Sequence, residues 1–372
     1  MVSRRSFLGS LALIAGPPMF NRGRFSLFAQ SPTEYSTLAI DLVRNATVID
    51  MLGLLTLDYR KLIRWQRQPE TFNAADLQTL KDSGTTIFHP AVGFIQGDIY
   101  AESLSNMTGW DAFLAAHKSD FVRIDGPADI ERAKTCGKLG ILLGLQNSSH
   151  FRSIDDVDRF YALGQRVSQL TYLPNRIGGG STDPHDGGLT EYGALIVERM
   201  NQLGMAIDIS HCADRTTMDA IAASRKPVLV THSNCRQIVP GSARCKTDQA
   251  IQKLAERGGV MGITLVRFFV SGGGATTIEN VLDHIQHVAR VAGIEHVGIG
   301  TDVDLDGRDH GQKLTRRADI DGLDYRRKIF DVTEGLIRRG YTKEQIELIL
   351  GGNFRRVLAE IWRPDFSENV VA

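Results

Sequence analysis

The sequence predicts an α/β protein, a (β/α)8 barrel of the TIM type. Three observations lead there. Eight short apolar runs each end in polar residues, amphipathic segments fall between them, and the chain is long enough for eight strand–helix units in about 320 residues. The 372 residues are 42% hydrophobic and 23% charged, an ordinary globular composition.

The eight runs are Ala46–Asp50, Thr85–Val92, Gly140–Gln146, Val167–Tyr172, Met205–His211, Pro227–His232, Gly259–Val266 and His296–Asp302. Most are β-branched or Leu-rich, as parallel strands buried on both faces should be. Asn73–Ser83 and Ser153–Arg166 read as helices. Glu191–Leu203 places Leu195, Ile196, Met200 and Leu203 on one face, with Gly204 as its stop. Ile278–Ala292 precedes the eighth run. Thr342-Lys-Glu-Gln345 is a capping box before Ile346, Ile349 and Leu350, and Gly351-Gly352-Asn353 breaks that helix. A last helix, Phe354 to Trp362, presents Phe354, Val357, Leu358 and Ile361 together. The Gly-rich loops Arg176–Gly188 and Ser271–Ala275 are candidate lids over a barrel mouth.

The N-terminus reads as an address. Arg4 and Arg5 precede Ser6-Phe7-Leu8, an arrangement like a twin-arginine export signal, and a short apolar stretch runs from Phe7 to Phe20. Cleavage after Ala29 is expected, leaving residues 30–372 as one barrel domain in the periplasm or outside the cell. A disordered basic tail is the alternative. The expected partners are the twin-arginine export machinery and a small molecule. No run of 18 apolar residues follows the N-terminus, so no internal membrane span is expected. Lys plus Arg and Asp plus Glu both number 43, and the first 29 residues hold four arginines and no acid. The remainder is mildly acidic, which gives no footprint for nucleic acid.

The most informative stretch runs from Met205 to Cys235. Two apolar runs end in His211 and His232, with a helix-length segment between them. Function gathers where the strands of a parallel barrel end. Two histidines on neighbouring strands would face one cavity and could serve a metal or acid–base chemistry. Asp302 ends the eighth run, beside the first strand once the barrel closes. It could bind a metal or carry a proton, whereas Asp304 and Asp306 read as solvated. Arg244 could hold a substrate carboxylate with two hydrogen bonds, or pair with Asp248 on the surface. Gln146 and Tyr172 end the third and fourth runs and could hydrogen-bond a polarised carbonyl. His89, His150 and His185 have weaker claims. Cys136, Cys212, Cys235 and Cys245 form no CxxC pair; Cys212 and Cys235 read as soft ligands, a disulfide, or idle buried thiols.

With these residues in view, the chain from about Ala46 to Trp362 resembles the membrane dipeptidase (renal dipeptidase) family of metallopeptidases, related to the amidohydrolase barrels. The blocks that carry the resemblance are GLTEYGALIVERMNQLGMAIDISH, PVLVTHSN, the loop from Arg244 to Asp248, HVGIGTDVDLDG and ILGGNFRRVL. The resemblance implies a barrel with two zinc ions that share a bridging glutamate and cleave a dipeptide bond. It makes His211 and His232 the histidines of one zinc site, Asp302 the proton carrier and Arg244 the carboxylate anchor. Family members often pair, which implies a homodimer.

Four site positions, Leu52, Leu54, Gln146 and Tyr172, depart from the pattern. The family's first strand ends Asp-Gly-His-x-Asp; here the residues are Asp50-Met51-Leu52-Gly53-Leu54. Gln146 stands for the bridging glutamate, and Tyr172 for the histidine that would stabilise the intermediate. Two close divalent ions need anionic ligands to offset their repulsion. The implied function is therefore amide hydrolysis in a dipeptide-like molecule with one zinc ion, held by His211 and His232. The alternative is an altered or inactive relative that binds or modifies a small peptide-derived metabolite without metal-dependent hydrolysis.

Overall fold

A computed structural model describes residues 24–26, 34–309 and 316–363. The expected export signal and its cleavage point after Ala29 lie outside the described residues, apart from Arg24–Ser26. That segment, β1, pairs antiparallel with β2, Glu34–Ser36.

The remaining strands are β3 (Ile49–Asp50), β4 (Ile87–Phe88), β5 (Phe121–Arg123), β6 (Leu139–Ile141), β7 (Gly144–Leu145), β8 (Val167–Gln169), β9 (Ala206–Asp208), β10 (Leu229–Ser233), β11 (Val260–Ile263) and β12 (Val297–Ile299). All ten join one parallel sheet in the order β5-β6-β4-β3-β12-β11-β10-β9-β8-β7. β6 and β7 are two halves of the predicted run Gly140–Gln146, interrupted at Leu142 and Leu143. β6 pairs with β4, and Val92 at the end of the β4 run bridges Leu145 of β7. The sheet therefore closes on itself with eight stations, one for each predicted run. β5 is an outer addition beside β6.

Closure between last and first strands is fixed by one carboxylate. Asp50 Oδ1 accepts from Thr301 N at 2.8 Å and Oδ2 from Thr301 Oγ1 at 2.6 Å. Lys328, fully buried, places its Nζ 3.8 Å from the same group and so offsets its charge. Close approach also needs glycine at 300, where a Cβ would stand 1.8 Å from the carbonyl oxygen of Thr231.

One end of the barrel is plugged. Ile49, Ile87, Val167, Ala206, Leu229 and Val260 cluster with Phe354, Val357, Leu358 and Ile361. These are residues at strand beginnings, so the final helix, Asn353–Ile361, seals the amino end with its predicted apolar face. Chemistry is left to the opposite, carboxyl end.

The helices Glu191–Leu203 and Ile278–Ala292 coincide with the predicted spans, and Gly204 ends the first at φ 79°. Thr342 caps as predicted, its side chain accepting from Gln345 N. Leu195 is a correction: it is 52% exposed, while Ile196 and Met200 are fully buried. Helix Ile99–Ala116 was not predicted. Its buried stripe includes Ser103 and Asn106, and Gln66 Nε2 donates to Asn106 Oδ1 at 3.1 Å, so the apolar period is diluted by paired polar residues. No helix among the described residues is long and apolar enough to cross a membrane.

Candidate active site at the carboxyl end of the barrel

His232 lies within β10, and His211 lies in the turn that follows β9. Their Nε2 atoms face each other at 3.0 Å. A buried network orients this pair. Asp208 Oδ1 accepts from Ser210 N, Ser210 Oγ and Thr231 N, and Asp208 Oδ2 accepts from Thr231 Oγ1 at 2.7 Å. With its proton committed to Asp208, the Thr231 hydroxyl receives His232 Nδ1–H at 2.8 Å. That tautomer leaves a lone pair on His232 Nε2. Burial, reinforced by the positive charge of Arg244, holds both imidazoles well below the usual histidine range, so both are neutral at pH 7.

The Tyr172 ring stacks on His211 with centroids 4.2 Å apart and 22° between planes. Burial and then the Asp302 carboxylate push the Tyr172 phenol upward, so it carries its proton at neutral pH. Gln146 occupies the neighbouring corner, across Gly93 from Tyr172, and its Nε2 donates to the Ala91 carbonyl at 3.0 Å.

Arg244 is buried, which excludes a surface pair with Asp248; Asp248 binds His287 instead. Arg244 Nη1 donates to Ser210 O at 2.7 Å and Ser233 Oγ at 3.0 Å, and Nη2 donates to His232 O at 2.6 Å. Its Nε is buried with no acceptor among the described residues. Three of the five guanidinium N–H groups are thus used to tie the two histidine segments together, and two remain, the number a carboxylate takes in bidentate fashion.

Asp302 has φ 58°, the only positive φ outside glycine among the described residues. Its N–H donates to Leu52 O at 2.9 Å, so the turn is clamped against the first strand. Burial raises its carboxyl, against the lowering effect of Arg308 and Arg244. Arg308 Nη2 donates to Asp302 Oδ1. Asp304 is also buried, a correction to its reading as solvated: its Oδ2 accepts from Leu57 N at 2.7 Å.

The structure thus brings His211, His232, Tyr172, Arg244 and Asp302 together, with Gln146 beside Tyr172. Arg308 and Lys246 were missed by the sequence reading. Lys246 is buried, its Nζ donating to Cys212 O at 2.8 Å and Thr217 Oγ1 at 3.0 Å, and burial lowers it to about 8. The signal for both was position alone, a basic residue in a strand-end loop. Of the weaker histidine candidates, His89 lies in the barrel interior within the electrostatic reach of His232; it donates Nδ1–H to Met51 O at 2.6 Å, with a buried Nε2 turned toward Gly144 and without a partner among the described residues. His150 pairs with Gln165, and His185 is exposed. All four cysteines are free, which removes the disulfide reading. Burial pushes the Cys212 thiol up to about 11 and raises Cys235 and Cys245 as well, so none is a ready thiolate.

A metal can be tested against these donors. Two nitrogens on a tetrahedral zinc at about 2.0–2.1 Å stand about 3.4 Å apart. The His211–His232 spacing of 3.0 Å is that of a hydrogen bond in which one Nε2 carries a proton; an ion held by this pair would take the place of that proton, with the rings slightly farther apart and water in the remaining positions. A second ion does not fit. Leu52 and Leu54, where the dipeptidase pattern has ligands, form an apolar cluster with Ala91. No group of three His, Cys, Asp or Glu side chains able to hold a metal exists among the described residues.

Comparison with known proteins adds the following. The family model described as "Membrane dipeptidase (Peptidase family M19)" matches residues 41–365. Dipeptidase verJ of Clonostachys rogersoniana is 34% identical over 229 residues, which is 60% of this chain and 56% of that protein. The chain thus aligns with little more than half the length of this curated relative. An amidohydrolase from Pseudomonas aeruginosa superposes with a TM-score of 0.76 at 26% identity, covering 87% of this chain and 99% of that one. The probable dipeptidase PvdM from Pseudomonas aeruginosa shares the fold, with a TM-score of 0.75 at 19% identity over 88% of this chain and 98% of that one.

Proposed function

The chain belongs to the membrane dipeptidase family, and on that premise we propose that it hydrolyses an amide bond in a dipeptide or dipeptide-like small molecule at the carboxyl end of its barrel. The observation that carries this reading is the convergence of two neutral imidazoles with a buried arginine that has two N–H groups to spare. Arg244 would anchor the carboxylate of the substrate and thereby set its amide across the His211–His232 pair. Tyr172 would hydrogen-bond the carbonyl oxygen through its phenolic O–H as charge develops there, keeping its proton. Asp302, buried and raised, would take a proton from the attacking water and return it to the departing amine. A single zinc ion held by His211 and His232 would polarise the carbonyl or lower the pKa of water.

A second reading is supported by the charge around the pair. Arg244, Lys246 and Arg308 all act on His211, an unfriendly setting for a cation. On that reading the cavity binds or modifies a peptide-derived metabolite without metal-dependent hydrolysis. Export by the twin-arginine route, to the periplasm or beyond, and a homodimeric state are proposed alongside either reading.

Metal analysis after zinc re-addition, followed by a dipeptide panel, separates the two. One ion per chain with turnover supports the hydrolase. No tight metal and no turnover leaves the binding protein. A mature N-terminus near Gln30 would support export, and light scattering would test the dimer.

A further inference from the structure

Arg308 lies six residues beyond Asp302 and donates Nη2 to its Oδ1. Its side chain remains 30% exposed, so it is reachable from the mouth of the barrel. Its Nε is buried and has no acceptor among the described residues, the same condition as the Nε of Arg244, a residue only 7% exposed. Asp302 and Tyr172 each lie in the field of both guanidinium groups, so the two arginines flank the same carboxylate and the same phenol. The charges do not cancel. Arg244, Arg308 and Lys246 stand against two carboxylates, Asp302 and Asp208, and the Asp208 oxygens are already taken by Ser210 and Thr231. A buried guanidinium N–H without an acceptor is costly unless a ligand supplies one. Arg308 spends one of its five donors on Asp302 and retains a planar face of donors suited to a second carboxylate.

We propose that Arg308 is a specificity-determining residue, and that the site prefers a dipeptide-like ligand bearing two carboxylates, one for Arg244 and one for Arg308. This rests on the reading that the cavity takes dipeptide-like molecules. Arg308 acts on an acidic side chain of the ligand, while Arg244 holds the terminal carboxylate common to all such molecules. Asp302 stays bound to Arg308 throughout, which directs the guanidinium and keeps the acidic ligand group away from the proton carrier.

The test is calorimetric binding of ketomethylene analogues of Ala-Ala, Ala-Glu and Glu-Ala, which resist hydrolysis, to the full-length protein as purified. At least one acidic analogue should bind tenfold or more tightly than the Ala-Ala analogue. Arg308→Gln should reduce that ratio below about threefold, whereas Arg244→Gln should weaken all three analogues together. Equal affinities in the wild type, or an unchanged ratio in a folded Arg308→Gln, would overturn the proposal. If Arg308→Gln does not fold, Arg308→Lys, which keeps the charge and loses the planar fork, should still lower the ratio by threefold or more, and an unchanged ratio there overturns it equally. Because binding is read without cleavage, acid preference with no turnover of Ala-Glu, Glu-Ala or ordinary dipeptides would sink the hydrolase reading alone. Turnover without acid preference would sink this proposal alone.

Discussion

His211 and His232 place their Nε2 atoms 3.0 Å apart although 21 positions separate them in the chain. The contact exists because β9 and β10 are neighbours in the barrel, with Leu229 opposite Asp208. It also exists because Asp208 joins both segments through Ser210 and Thr231.

That network yields the first prediction. Thr231→Val removes the acceptor for His232 Nδ1–H, so zinc affinity should fall by about 10–100-fold. His211→Ala or His232→Ala should abolish tight zinc uptake. Competition with a chromophoric chelator measures both, and undiminished affinity in the His211→Ala/His232→Ala double variant would show that the ion binds elsewhere.

The first strand yields the second. Leu52→His, Leu54→Asp and Gln146→Glu together restore the pattern of ligands that a second ion needs. Elemental analysis should then find two zinc ions per chain. Without zinc, the triple variant should have a lower urea midpoint than the wild type, because a carboxylate placed in the Leu52–Leu54–Ala91 cluster is uncompensated. Zinc should recover it. A stoichiometry that stays at one or below would show that the strand no longer presents position 54 to the cavity.

Acid stability is the third. His284 is buried, its Nδ1 accepting from Cys235 N at 3.1 Å and its Nε2 bonding Val270 O at 3.0 Å. Both nitrogens are satisfied only in the neutral ring, and burial, helped by His287, lowers its pKa to about 4 against the Val270 hydrogen bond and Asp283, which raise it. His150, packed between Phe151 and Phe160 and bonded to Gln165, is likewise lowered to about 4 by burial, with Asp156 acting the other way. Below about pH 6.5 the unfolded chain takes up these protons and the folded protein does not. Stability is therefore lost as pH falls from about 6.5 to about 4, by up to about 3 kcal/mol for each ring. Urea midpoints at pH 7.5 and 5.0 should show the loss, and His284→Asn should lose less between the two. An equal loss in the variant would remove His284 as the cause.

The fourth concerns Gly300. Its missing Cβ would meet Thr231 O at 1.8 Å and His232 Cα at 3.2 Å. Backbone cannot yield as a side chain can, so Gly300→Ala should destabilise the protein by more than about 3 kcal/mol and disturb zinc binding at His232. A folded, zinc-binding Gly300→Ala protein with a wild-type melting temperature would mean that β10 and β12 separate more easily than this spacing implies.

The strand ends were legible because doubly buried strands leave continuous apolar runs, and the polar residue that ends each run marks the mouth of the barrel. His211, His232 and Asp302 were found this way. β5 was missed because Phe121–Arg123 is only three residues long, and helix Ile99–Ala116 because paired polar residues interrupt its apolar stripe. Leu195 was misplaced because a helical wheel gives the angle of a side chain, while the neighbouring element decides which angles are covered.

By itself the sequence determined the barrel and the residues at the carboxyl ends of its strands. These follow from local patterning, which hydrophobic burial enforces residue by residue, whereas the loss of a histidine and an aspartate at Leu52 and Leu54 and of a glutamate at Gln146 was legible only through resemblance to the family. Only the tertiary structure decided that Arg244 is buried rather than paired with Asp248, that Thr231 sets the tautomer of His232, and that Arg308 reaches Asp302. Those relationships depend on direction and on ångström-scale distance between segments far apart in the chain, and charge and hydrogen bonding act over exactly such distances once barrel closure has brought the segments together.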